Sequence, residues 1–313
     1  MPIAYQRPRV LPPGGTIGVF APSGVVNAER LQNGVAQLES LGYHVIMAPG
    51  VLDQWRYFAG TDEHRLASLN TLLKNPDIDL MMMARGGYGW SRLLHRLDWD
   101  LIKRGNKAFC GFSDFTAFQL AALKHANLIT YAGPGVATDF DWVGDSAETA
   151  TEHAFMVQHF AAALSGRRIE TDLIACEHET HPTMIEGVLW GSNLSLLTHC
   201  VGTPYMPEIE GGILFVEEID ENPYAVERAM MQLFHAGILQ TQRAIIFADF
   251  SDCLPDKNRF PYAIEHVVDT LRDLLPTPIL TGLPFGHVAK KLTLPMGAIA
   301  TLTLTPAGYR LAY

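Results

Sequence analysis

The regular pattern starts at GGTIGVFAPSG, an apolar run closed by glycine and proline, which predicts a buried strand and a turn. NAERLQNGVAQLESLG follows with apolar residues at helical spacing, Asn27 standing as N-cap and Gly42 as the stop. YHVIMAP reads as the next strand. TDEHRLASLNTLLKNP reads as a helix, with Thr61 three residues before His64 and with Asp62 and Glu63 in the first turn. IDLMMMA is a wholly apolar strand, RGGYG a glycine loop and WSRLLHRL a helix. KAFCGFS and DFTAFQLAALKHAN repeat the strand–helix step, and LITYAGPG adds one more strand. Strands that alternate with helices build a parallel sheet covered on both faces.

From about Ala161 to Pro182 this rhythm is lost, and charge and histidine accumulate, as in a connection between domains. Beyond it, GILFVEE, AIIFADF and PILTGLPFG read as strands. SNLSLLTHCVG, NPYAVERAMMQLFHAG and PYAIEHVVDTLRDLL read as helices, and the tail KLTLPMGAIATLTLTPAGYRLAY as short antiparallel strands. The expectation is an α/β protein. It has an N-terminal Rossmann-like parallel-sheet domain over residues 1–164, a linker over 165–185 and a smaller C-terminal α/β domain over 186–313. A site would form at the domain junction, a common place for a pocket.

Composition narrows the functional classes. Of 313 residues, 48% are hydrophobic and 18% charged, which argues against extended disorder. The net charge is −10 and no Lys/Arg run stands out, so neither nucleic acid nor an anionic membrane surface is an expected partner. MPIAYQRPRVLPPGG has no apolar core, so no secretory signal is expected, and no apolar run approaches the ~18 residues of a membrane span. Cys110, Cys176, Cys200 and Cys253 are scattered, which fits a reducing cytoplasm.

Open parallel sheets carry their sites beyond the carboxyl ends of the strands. Three polar positions follow predicted strand ends: Ser113 after KAFCGF, Glu217 and Glu218 after GILFV, and His287 after PILTGLPFG. A serine, a carboxylate and a histidine are the parts of a nucleophile–base–orienter relay. The serine hydroxyl needs a neutral imidazole to take its proton, and the imidazole needs a carboxylate to hold its tautomer. A tetrahedral intermediate needs backbone N–H donors. Asp114, at a helix start, and Gly87, in the glycine loop, are the candidates. For each position a plainer reading stands beside this one. Ser113 can be a helix N-cap, His287 a loop histidine, the glutamates a solvated strand end and RGGYG a plain turn. Strand alternation puts Glu217 on the face of Ile213 and Phe215 and Glu218 on the other, without saying which face meets the site.

Other constellations are weaker. CEHETH brings Cys176, His178 and His181 together but lacks a second paired half, so no metal is expected. There is no HExxH, Walker loop or GxGxxG, so no metal or nucleotide cofactor is implied. Met81, Met82, Met83 and Trp190 read as core. An α/β-hydrolase elbow would read GxSxG, whereas Gly111-Phe112-Ser113-Asp114-Phe115 lacks the last glycine.

RGGYGWSRLL, LDWDLI, GFSDFTAFQLAAL, EGVLWGSNLSLL, GTPYMP, LFVEEIDENPYAVERAMMQLFHAGIL and GLPFGHVAKKLTLPMGA run in order along nearly the whole chain. Together they resemble the serine LD-carboxypeptidases. The resemblance implies Ser113 as nucleophile, Glu217 rather than Glu218 as orienter, His287 as base, and the backbone of Gly87 and Asp114 as oxyanion donors. It implies a metal-free, typically dimeric, cytoplasmic enzyme that removes the terminal D-alanine from the murein tetrapeptide L-Ala-γ-D-Glu-meso-diaminopimelate-D-Ala. Relatives of the family resemble immunity peptidases that cleave peptidyl-nucleotide antibiotics. These would need an aromatic residue to stack on the base. A third possibility is a two-domain protein that binds muropeptide without chemistry. Arg85 and Lys290, near the site motifs, are candidates for gripping the substrate carboxylate. The family's glycine pair before Asn-Leu reads Gly191-Ser192 here, a strained serine if that position needs positive φ.

Overall fold

The computed structural model describes residues 5–142, 144, 146–177, 182–255 and 261–313. Its first sheet is built from β1 (Thr16–Phe20), β2 (His44–Met47), β3 (Leu80–Met83), β4 (Ala108–Gly111) and β5 (Thr130–Ala132). These strands are joined by α1 (Ala28–Ser40), α2 (Asp62–Lys74), α3 (Trp99–Gly105) and α4 (Phe115–Ala121), and α5 (Ala147–Leu164) follows β5. The second sheet contains β6 (Ile174–Ala175), β7 (Thr183–Asn193), β8 (Ile213–Ile219), β9 (Ala244–Ser251) and β10 (Ile279–Thr281). Its helices are α6 (Leu194–Cys200), α7 (Pro223–His235) and α8 (Ile264–Leu274). The chain ends with β11 (Leu294–Met296), β12 (Ile299–Thr305) and β13 (Gly308–Ala312).

In the first sheet the order is β11-β5-β4-β3-β1-β2, and β1 to β5 run parallel. Met81, Met82 and Met83 are fully buried in its middle, as a strand covered on both faces requires. Asn27 accepts the Arg30 amide at 3.0 Å and Thr61 the His64 amide at 3.3 Å, so both N-caps stand where the sequence puts them. In the second sheet the order is β10-β9-β8-β7-β12-β13-β6, a parallel half from β7 to β10 and an antiparallel half beyond. Trp190 is core, its Nε1–H donating to Gln242 Oε1 at 2.9 Å, and does not face a ligand.

Several elements differ from the sequence pattern. WSRLLHRL forms two 3₁₀ turns, Trp90–Arg92 and Leu94–Arg96, instead of an α-helix. The Trp90 amide is given to the Asp114 carboxylate, and Leu93 and Arg96 close i→i−3 bonds to Trp90 and Leu93. The α-helix comes one step later as α3, with the Asp98 side chain accepting the Leu101 amide at 2.8 Å. Strand β7 contains EGVLWGSN, whose run from Gly187 to Asn193 is buried throughout and shows no alternation. Helix α5 carries on into the stretch read as irregular. Most consequential is Leu294–Met296. The sequence reading leaves it with the tail of the second domain, but it pairs antiparallel with Thr130–Ala132 at the edge of the first sheet. The chain then returns to the second sheet through β12.

Candidate active site

Strand β4 ends at Gly111, and Ser113 turns the chain with φ 61° before α4 begins at Phe115. A non-glycine residue at positive φ is strained, and here the strain sits at the one serine of a strand-to-helix elbow. An N-cap needs extended backbone. Ser113 is not one: Asp114 precedes the helix and no side chain caps it. Gly111 is required by close packing, because a Cβ there would lie 2.8 Å from Met83 and 2.9 Å from Phe115. The glycine missing after Ser113 is replaced in space by Gly86 of the neighbouring loop. A Cβ on Gly86 would lie 3.2 Å from Ser113 Oγ and 3.7 Å from the Asp114 nitrogen. The next residue, Gly87, has φ 109°. Among the described residues neither its N–H nor that of Asp114 has an acceptor. The nucleophile candidate and both oxyanion-donor candidates are therefore neighbours.

From the second sheet, His287 Nδ1 meets Glu217 Oε2 at 2.9 Å. Glu217 is fully buried and the His287 side chain 19% exposed, so the pair is desolvated on the carboxylate side and open on the imidazole side. Gly286, at φ 139°, permits this approach: a Cβ there would lie 3.4 Å from that of Glu217 and 3.1 Å from that of Asp249. The His287 ring packs on Phe112, the residue before Ser113, with centroids 4.9 Å apart. That contact sets the histidine of one sheet against the residue before the serine of the other, and among the described residues no hydrogen bond joins His287 to Ser113. Glu218 has a different task. It accepts the Asn193 side-chain amide at 3.0 Å and the Ser195 amide at 2.9 Å, fixing the start of α6. The glutamate that meets His287 is Glu217.

Three supporting groups carry no recognisable sequence signal. Ser251 donates to the Asp249 carboxylate and to the His287 carbonyl, and the Asp249 amide bonds Phe285, so β9 holds the histidine loop. Lys291 is fully buried, pairs with Asp139 at 2.6 Å and places its ammonium 3.5 Å from the Phe112 ring centroid. Asp139 also accepts the Gly135 amide and the Thr138 hydroxyl, both at 2.8 Å. The third is the carboxylate of Asp114. It is fully buried and accepts Ser23 Oγ at 2.6 Å and the Trp90 amide at 3.1 Å. One side chain beside the nucleophile thus clasps both the turn after β1 and the end of the RGGYG loop.

Burial raises the Asp114 carboxyl to about 6, against the opposing pull of its hydrogen bonds to Ser23 and Trp90. The native state therefore holds this proton more tightly than the unfolded chain. The resulting stabilisation is complete below 3.8 and is lost as pH rises through about 6. Asp114→Asn removes this dependence. Its stability relative to wild type is expected to rise by on the order of 2 kcal/mol between about pH 4 and pH 7, read from denaturant midpoints.

Residues 17–133 match the LD-carboxypeptidase N-terminal domain and residues 186–302 the LD-carboxypeptidase C-terminal domain. The chain belongs to the LD-carboxypeptidase family. It is an enzyme, a carboxypeptidase-type hydrolase, with the two-domain α/β architecture of that family. A probable murein peptide carboxypeptidase of Bacillus subtilis is 32% identical, over 95% of this chain and 91% of its own. A muramoyltetrapeptide carboxypeptidase structure from Oxalobacter formigenes superposes with TM-score 0.86 at 36% identity, over 95% of this chain and 98% of its own. The microcin self-immunity protein MccF of Escherichia coli is 29% identical over 91% of this chain and 89% of its own.

Ser192, the second residue of the Gly191-Ser192 pair, has φ 89°, is fully buried, and its Oγ has no partner among the described residues. Its strand neighbour Asn193 pairs in register with Glu217. Ser192→Gly relieves the backbone and removes an orphaned hydroxyl. It is expected to stabilise the protein by about 1 kcal/mol, seen as a higher denaturant midpoint. Of the two cations proposed for the substrate carboxylate, Lys290 is exposed and lies 5.2 Å over the Phe155 ring of α5, whereas Arg85 sits in the glycine loop itself. In CEHETH, Cys176 Sγ accepts the Thr281 amide at 3.2 Å, and His178 and His181 lie outside the described residues. Among the described residues no group of His, Cys, Asp and Glu is arranged to hold a metal, and no helix is long and apolar enough to cross a membrane.

Proposed function

We propose that this chain is a serine-type LD-carboxypeptidase that removes the terminal D-alanine from murein tetrapeptides. The observation that carries the proposal is the His287–Glu217 pair, 2.9 Å apart and packed through Phe112 against the elbow that holds Ser113. In this reaction the Glu217 carboxylate accepts a hydrogen bond from His287 Nδ1–H, which leaves Nε2 as base. Nε2 takes the Ser113 hydroxyl proton as Oγ bonds to the carbonyl carbon before D-alanine. The oxyanion is held by the N–H groups of Gly87 and Asp114. The C–N bond breaks as Nε2 returns the proton to the amine of D-alanine. A water then repeats the sequence on the acyl-enzyme, freeing the tripeptide and the serine. Residues 1–164 supply the serine and the oxyanion donors on this reading, and residues 186–313 supply the glutamate and the histidine. A muropeptide, free or sugar-linked, is the partner of a cytoplasmic homodimer that needs no cofactor. Equilibrium sedimentation checks the dimer.

A second substrate class is favoured by the MccF relationship and by two half-exposed rings beside Gly87, Tyr57 and Tyr88. This is a peptidyl- or aminoacyl-nucleotide, cleaved by the same relay. Mass spectrometry of the purified protein with free murein tetrapeptide, beside an aminoacyl sulfamoyl-adenosine, decides between them. Release of D-alanine at the faster rate supports the proposal, and cleavage of the nucleotide conjugate alone replaces it. Tight muropeptide binding without product would mean a binding protein.

A further inference from the structure

We propose that Arg85, with the Tyr57 hydroxyl beside it, binds the terminal carboxylate of the peptide substrate, which rests on the carboxypeptidase reading and names the group that selects for a chain end. A carboxypeptidase must recognise a free carboxylate, and a chain of net charge −10 must supply the opposing charge locally.

Among the described residues Arg85 is the half-buried arginine that meets no carboxylate; Arg56, Arg243 and Arg310, which meet none either, are exposed. Arg9, Arg30, Arg65, Arg92 and Arg96 each meet a carboxylate. Arg85 meets none among the described residues. Its one hydrogen bond among the described residues runs from Nη1 to the Val25 carbonyl at 3.1 Å, a neutral acceptor that uses one of five N–H donors. The guanidinium is half-buried, so an ion bound there is screened less than at an open surface.

Its position is set by glycines. A Cβ on Gly24 would lie 3.5 Å from Arg85 Cζ, and one on Gly87 would lie 3.5 Å from Arg85 Nη2 and would run into the Tyr57 hydroxyl. The guanidinium and the phenol therefore converge on the backbone of Gly87, whose N–H is an oxyanion-donor candidate, while Gly86 touches Ser113. The reacting carbonyl and the terminal carboxylate of a peptide ending in D-alanine are separated by one residue. The two recognition elements are likewise one short loop apart. The Tyr57 ring is 50% exposed and so remains open to a ligand.

The test compares murein tetrapeptide with the same peptide ending in D-alaninamide, which keeps the scissile bond and removes the charge. The wild type is expected to prefer the acid in kcat/KM. Arg85→Gln should lower the rate on the acid by about 10- to 100-fold and collapse the acid-to-amide ratio toward one. Arg85→Lys should recover part of the ratio and Tyr57→Phe should lose a smaller part. If Arg85→Gln slows both peptides equally, the arginine only braces the Val25 loop and the proposal is wrong. A wild type that cleaves both peptides alike also overturns it and leaves the peptidase reading intact. The same ratio is read in binding, by calorimetry on Ser113→Ala protein. Failure of hydrolysis therefore tells against the peptidase reading alone, and failure to bind either peptide overturns both.

Discussion

Ser113→Ala is expected to lower turnover of murein tetrapeptide by about 10,000- to 1,000,000-fold, because members of a nucleophile relay act as a unit. The methyl side chain fits the same positive-φ elbow, and Ser113 Oγ makes no hydrogen bond among the described residues, so the fold should be unchanged. Binding should persist within a few-fold, since neither Arg85 nor the donors of Gly87 and Asp114 are touched. Single-turnover release of D-alanine, followed by mass spectrometry, measures the loss. Turnover within about tenfold of wild type would remove Ser113 from the mechanism and leave water activated by His287 as the remaining nucleophile.

Lys291→Met is expected to cost about 3–5 kcal/mol of stability, the range for breaking a buried ion pair on one side. Its ammonium is fully enclosed, and Asp139 would keep only the Gly135 amide and the Thr138 hydroxyl. The Phe112 ring loses its cation at the same time, and Phe112 is the surface on which His287 rests. A lower denaturant midpoint should therefore accompany a lower kcat, with KM changed less. Unchanged stability would mean that water reaches the pair and screens it. Lys290→Met, one residue away at an exposed position, is the control and should change stability by less than about 0.5 kcal/mol.

The parallel sheet was legible because its strands are mostly apolar and its helices carry visible caps at Asn27 and Thr61. Ser113, both glutamates and His287 stood out as polar residues at strand ends. What alternation could not give was the choice between Glu217 and Glu218, since a period of two names two faces and no destination. Only the Asn193 and Ser195 contacts of Glu218 free Glu217 for His287. The roles of the Asp114 carboxylate and of Lys291 depend on hydrogen-bond partners 24 to 152 positions away in sequence, and no local pattern encodes those. The 3₁₀ turns after the glycine loop follow from the same carboxylate, which takes an amide that a helix would otherwise organise. The strain at Ser192 was visible as a condition, and the φ value supplied it.

The return of Leu294–Met296 to the first sheet also bears on how the gene can be cut. Strand β5 has β4 on one side and this late segment on the other. A fragment that stops after the first domain would leave the outer edge of β5 without its cover. One row of backbone donors and acceptors would face solvent, a template for pairing between copies. Such a half-protein should form assemblies, and a synthetic peptide spanning 290–298 should compete for the vacant edge and return it to monomers.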